Sequence, residues 1–290
     1  MGFDDKDQEL FLGKYSSTSF KDFYNEYEEL MSFVKDLPSE LKRNKNLTGK
    51  NVDYLELSRI FTNRKKPLSS KTLFKKNNNA KDIIINFWLH NVNAKVNIME
   101  SLPSLEDFKG LSLVDIKEII NLSTNPKSYL TIPSLLLKKG IILIYEKSIQ
   151  GLNVDGVVYK NEKGNPIVSL SVRHNRIDNF WFTLAHELSH IFLHYDFLDN
   201  VIIDDFDEKE SSQIELEANK LAGDLLIPKN IWRGCPVKYS TNSSDIISFS
   251  KQYNINPAIL AGRIRNERGN FSIFNDIIYL EDVRGNIFNG

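Results

Sequence analysis

The sequence predicts an α+β fold: a helical N-terminal region leads into a domain whose small, mainly antiparallel sheet lies beside two chemistry-bearing helices. Three observations predict it. Apolar residues recur at helical spacing through the first third. Short β-rich runs cluster between 141 and 171. A long helical pattern with three histidines on one face follows.

Taken in order, Phe20, Phe23, Tyr24, Tyr27, Leu30, Met31 and Phe33 predict a first helix, and Leu55, Leu57, Ile60 and Phe61 a short second one. The stretch 63–81 is basic and turn-rich, with Pro67 and Asn77-Asn78-Asn79. It is read as a solvated connector, with phosphate contact as the alternative. Ile83–Ile98 predicts a helix with Phe87, Trp88 and Val92 on its apolar side. Pro103 marks a boundary, giving a helical region over 1–105 and a second domain over 106–290.

Leu113–Leu122 reads as a helix; Pro133 opens the next and Gly140 ends it. Ile141–Tyr145, Gly156–Tyr159 and Ile167–Ser171 read as strands, the last two joined by a turn at Gly164-Asn165-Pro166. Ile167–Ser171 is read as a candidate edge strand that an extended substrate could pair with. From Asp178 helix is expected to dominate to Leu226, where Pro228 stops it, with Asp178 or Asn179 capping its start. Asp245–Tyr253 and Pro257–Asn266 predict two further helices.

Composition narrows the function classes. A net charge of −1 over 290 residues offers no general attraction to nucleic acid or an anionic membrane. One cysteine, Cys235, excludes an internal disulfide framework and a thiolate zinc site. The acidic start MGFDDKDQEL lacks a signal-peptide pattern, and no apolar run approaches the ~18 residues of a membrane helix. The expectation is a soluble, cytoplasmic protein with no membrane partner.

Residues 186–190 read His-Glu-Leu-Ser-His. Two histidines four apart project from one helix face, one turn apart, and can reach one tetrahedral zinc ion. Glu187 is placed to act as general base, taking the proton of a water that the metal acidifies. Thr183, His186, Glu187, His190 and His194 share one third of the helix circumference; Phe180, Trp181, Leu184, Leu188, Ile191 and Phe192 are expected to anchor the other side in the core.

A catalytic zinc needs a third protein ligand and an open fourth position. Glu215 and Glu217 on the next helix are two apart, about 200° around it, so one of them is expected to face the metal. Ala218, Leu221, Ala222, Leu225 and Leu226 lie on or beside the Glu215 side and favour it. Asn219, four after Glu215, is placed to orient a ligand histidine.

Several residues keep two readings. His194 either hydrogen-bonds near the metal or is a helix-end histidine. Arg173 and Arg176 either meet a substrate carbonyl or tie a strand end to acidic neighbours, the latter favoured. The acidic run 204–210 is read as a solvated loop rather than a second cation site. His90 and His174 are read as ordinary residues.

Two blocks carry a family resemblance: Arg173 with Arg176 through His190 and then His194, and Glu215-Leu216-Glu217-Ala218-Asn219 through Asp224-Leu225-Leu226-Ile227-Pro228. They resemble the ImmA/IrrE family of zinc-dependent, gluzincin-like endopeptidases. Leu73–Lys76, Phe87-Trp88-Leu89, Gly140-Ile141 and Pro257–Arg263 extend the likeness more weakly, towards members fused to an N-terminal helix-turn-helix. No DNA-reading helix-turn-helix is legible in residues 1–60. The resemblance implies a zincin-like domain, Zn2+ as cofactor, His186, His190 and Glu215 as ligands, and Glu187 as catalyst. It implies a protein substrate, a transcriptional repressor or another regulator. Two other functions stay open: a DNA-binding regulator or antitoxin, and a catalytically silent zinc-binding interaction module.

Overall fold

Alternation along the strands builds three layers. The computed structural model describes residues 80–205 and 213–289, with isolated positions between 25 and 42. The apolar residues of the 20–33 and 55–61 patterns, the basic stretch up to 79 and the acidic run from 206 lie outside the described residues.

Helix α1 (Ala80–Glu100) packs Ile84, Trp88, Leu89, Val92 and Val96 on one face of the sheet, against Ile142, Ile144, Val157, Tyr159 and Ile167. Trp88 Nε1 donates to the Glu146 carbonyl at 3.2 Å and Lys95 Nζ to that of Tyr145 at 2.9 Å. The intervening residues Leu143, Val158, Val168 and Leu170 point the other way, into the larger core. So α1 shares a core with the sheet although it precedes the boundary expected at 105.

Helix α2 (Leu113–Asn121) is capped by Ser112, which exchanges hydrogen bonds with Asp115 in a capping box. Helix α3 (Ile132–Leu137) carries Pro133 in its first turn. Gly140 follows with φ +75°, and a Cβ there would lie 2.5 Å from the Phe108 amide nitrogen, so both conformation and space require glycine. Strands β1 (Ile142–Tyr145), β2 (Val154–Lys160), β3 (Pro166–Leu170) and β4 (Ile202–Asp205) form a sheet in the order β1-β3-β2-β4. β1 runs parallel to β3; β2 is antiparallel to both β3 and β4.

Helix α4 (Ile177–His194) crosses the second face of this sheet and is the buried centre of the domain. Helix α5 (Gln213–Leu226) packs along it. Short α6 (Lys229–Arg233), then α7 (Ser243–Tyr253), α8 (Pro257–Arg268), α9 (Asn275–Ile278) and α10 (Val283–Phe288) complete the helical side.

Four expectations are corrected. The candidate edge strand is internal: β3 is hydrogen-bonded to β1 and β2 on its two sides, so it offers no edge to a substrate. Helix does not run on from α4 to α5; β4 intervenes, because a short β-branched run at 201–203 finds β2 as a partner. Phe192 is exposed rather than in the core: in the last turn of α4 His194 stays buried, while Phe192 and Leu193 face outwards. Neither Asp178 nor Asn179 caps α4. The N-cap is Arg176, and the Asp178 carboxylate is held by the Arg176 guanidinium, with Gly262 packed against it so closely that a Cβ would fall 2.3 Å from its Oδ2.

The α2 cap generates a prediction. The Asp115 carboxyl is pulled down to about 2, first by the hydrogen bond from Lys139 and then by those from Ser112. A carboxylate whose value is lower folded than unfolded contributes stability above about pH 4 and loses it as pH falls towards the folded value. Ser112→Ala is expected to cost about 1 kcal/mol at neutral pH. Chemical denaturation should show that difference shrinking below about pH 4, because acid removes the charge on the same cap; a constant difference would contradict the assignment.

Candidate metal centre

The helical spacing of the HExxH residues places His186 and His190 one above the other on the face of α4 that meets α5, and both side chains are fully buried. The two helices pack extensively on each other, and Ala218 and Ala222 on α5, both at 0% exposure, are small enough to allow a close approach. That approach carries Glu215 to the two imidazoles. Glu215 Oε2 lies 3.1 Å from His186 Nε2, Glu215 Oε1 lies 3.3 Å from His190 Nε2, and the two Nε2 atoms are 3.0 Å apart.

Each histidine is gripped from behind. His186 Nδ1 lies 3.1 Å from Asn219 Oδ1. Because an amide oxygen only accepts, this nitrogen carries the proton and leaves Nε2 with a bare lone pair. His190 Nδ1 lies 3.1 Å from His194 Nδ1, and His194 Nε2 lies 3.1 Å from Glu217 Oε2. Gln213 donates to the other oxygen of Glu217 at 2.7 Å.

The donor set fits a zinc ion. The separations of 3.0, 3.1 and 3.3 Å match the edge of a tetrahedron with bonds of 2.0–2.1 Å, which is about 3.3 Å. Glu215 Oε2 is buried with no hydrogen bond of its own, although His186 Nε2 is close by. Acceptors crowded in this way are satisfied by one cation at their centre. Burial lowers the pKa of His190, favouring the neutral imidazole that a metal needs. Among the described residues this is the only group of three or more such side chains placed to share an ion. The Glu215 side chain keeps 17% exposure, so the cluster is reachable from water on that side.

Glu187 is almost fully buried on the sheet side of the same helix. It sits there because position 156 on β2 is glycine: a Cβ would fall 2.1 Å from Glu187 Oε1 and 2.9 Å from Thr183 Cγ2. A glycine inside a strand pattern signals close approach of another group, but the residue approaching was not readable from the sequence.

The segment between β3 and α4 is tightly held. Val172 adopts φ +46°, a left-handed conformation that a β-branched residue rarely takes. Arg284 of α10 donates to the Val172 carbonyl at 3.1 Å and also to that of Arg173. Arg173 grips the buried Asp155 with two nitrogens, at 2.6 and 3.3 Å, and Arg176 pairs with Asp178. Both arginines are thus committed to aspartates. His174, half-exposed, lies 3.9 Å from the same Asp155.

Residues 138–264 match the model of the Peptidase_M78 family, described as an IrrE N-terminal-like domain. No curated protein matches the chain. The matched span begins just before β1 and ends within α8, taking in the whole sheet and both helices of the histidine–glutamate cluster. The family supports a metallopeptidase, and its members are generally zinc-dependent. Over residues 138–264, then, the chain is similar to the IrrE N-terminal-like domain of the Peptidase_M78 family.

Proposed function

We propose that this chain is a zinc-dependent endopeptidase in which His186, His190 and Glu215 hold the metal and Glu187 is the general base. The observation that carries the reading is the meeting of the three ligand groups at 3.0–3.3 Å, in the order and spacing of a two-histidine, one-glutamate zinc site.

Zinc bound there supplies Lewis acidity, which polarises a scissile carbonyl and acidifies an attacking water. The chain's own residues do the rest. Asn219 orients the first imidazole. Glu187, next in sequence to His186 and walled in by Gly156, takes the proton of the water and passes it to the leaving amine. The substrate is a regulatory protein, such as a transcriptional repressor, another transcription factor or an antitoxin-like partner. That part rests on the resemblance of the two sequence blocks.

Wild type and Glu187→Ala, each loaded with zinc, are to be incubated with lysate of the native host and new peptide termini read by mass spectrometry. The expected result is about one zinc in each and new termini from the wild type alone. New termini from both proteins would remove Glu187 from the mechanism. Zinc absent from both after reconstitution would overturn the reading.

Gly156→Ala isolates the position of the base from the metal. A methyl group at that site must push the Glu187 carboxylate aside while leaving the three ligands in place. Zinc content should stay at the wild-type level and cleavage should fall about a hundredfold. Wild-type cleavage by a folded Gly156→Ala protein would contradict the placement of Glu187.

A further inference from the structure

We propose that His194 and Glu217 are positioning residues that fix the tautomer and orientation of His190, so that a histidine–glutamate relay from the protein surface strengthens zinc binding. The inference rests on the metal site proposed above and concerns residues beyond its ligands.

To bind a metal through Nε2, His190 must carry its proton on Nδ1. That N–H faces His194 Nδ1 at 3.1 Å, which must then be the bare, accepting nitrogen. His194 must therefore carry its own proton on Nε2, where Glu217 Oε2 accepts it at 3.1 Å. Each link admits one direction only, and the chain ends on a carboxylate that cannot donate. Gln213 holds the second oxygen of Glu217 at 2.7 Å, which leaves the first aimed at His194.

Location strengthens the case. His194 is 4% exposed, in the last turn of α4, so its hydrogen bonds are sheltered from competition by water. The Glu217 side chain is 47% exposed, so the negative end of the relay needs no burial of an unpaired charge. Helix α5 thus grips α4 twice: Glu215 reaches the two Nε2 atoms, and Glu217 reaches the imidazole behind one of them. Metal-bound histidines whose second nitrogen loses its acceptor typically lose 10–100-fold in affinity.

The test measures zinc affinity of the full-length protein by competition with a chromophoric chelator, for wild type, His194→Ala, Glu217→Ala and Glu217→Gln. His194→Ala should weaken zinc binding by about 10–100-fold and Glu217→Ala by about tenfold. Glu217→Gln should stay within about threefold of wild type, because an amide oxygen still accepts from His194 Nε2. Thermal melting of the zinc-free proteins should be the same for wild type and Glu217→Ala, which separates positioning from a fold defect. The exposed Glu217 keeps the test valid even where His194→Ala fails to fold. If wild type holds zinc and cleaves while Glu217→Ala and a folded His194→Ala bind zinc within about twofold of it, the relay is overturned and the protease reading stands. If affinities fall as expected but nothing is cleaved, the relay stands and the protease reading fails. If wild type binds no zinc, both fall.

Discussion

Two imidazole nitrogens and a carboxylate lie within 3.3 Å of one another, in a place where both imidazoles are closed to water. Such crowding of lone pairs is costly unless a cation joins them. The rest of the domain is organised to hold it. The sheet and α1 give α4 a floor, and α5, whose Ala218 and Ala222 are fully buried, packs against it so that Glu215 reaches both histidines. Glycine at 156 leaves room for the neighbouring carboxylate. A larger residue at 156, 218 or 222 would act on the site by moving an element or a side chain, without touching a ligand.

Polar groups behind the cluster answer the same constraint. Asn219 engages the back of His186, while His194 and Glu217 stand in line behind His190. On the other flank, the left-handed Val172 is clasped by Arg284, and Arg173 is tied to Asp155, the neighbour of Gly156. The strained entry to α4 and the wall beside Glu187 are therefore linked through one ion pair, and the far C-terminal helix takes part in shaping the site.

The sequence made the local part of this legible. HExxH is a spacing, and helical geometry turns it directly into two imidazoles on one face. The small, apolar side of α5 favours Glu215 over Glu217; in the structure Glu215 lies 3.1 and 3.3 Å from the Nε2 atoms of His186 and His190, and Glu217 lies 3.1 Å from that of His194. Glu217 is turned away from the metal ligands, yet it still meets α4 one turn further on, at His194, because the helix it faces is a rod. Gly156 and β4 were beyond reach for a different reason. What a glycine makes room for, and what a short β-branched run pairs with, are set by contacts distant in the chain. Asp178 does not cap α4 because its carboxylate has a stronger partner in the Arg176 guanidinium than the helix end offers. Phe192 reads as apolar in a periodic pattern, yet in the last turn of α4 only the His194 side is covered and Phe192 faces outwards.

The central claim is that two imidazoles and one carboxylate hold a single zinc with a fourth position open, and X-ray absorption at the zinc edge tests it most directly. The account predicts four light-atom ligands at about 2.0–2.1 Å, with the multiple-scattering signature of two imidazoles, reduced to one imidazole in His190→Ala. Sulfur at about 2.3 Å, or an imidazole count unchanged by His190→Ala, would contradict it.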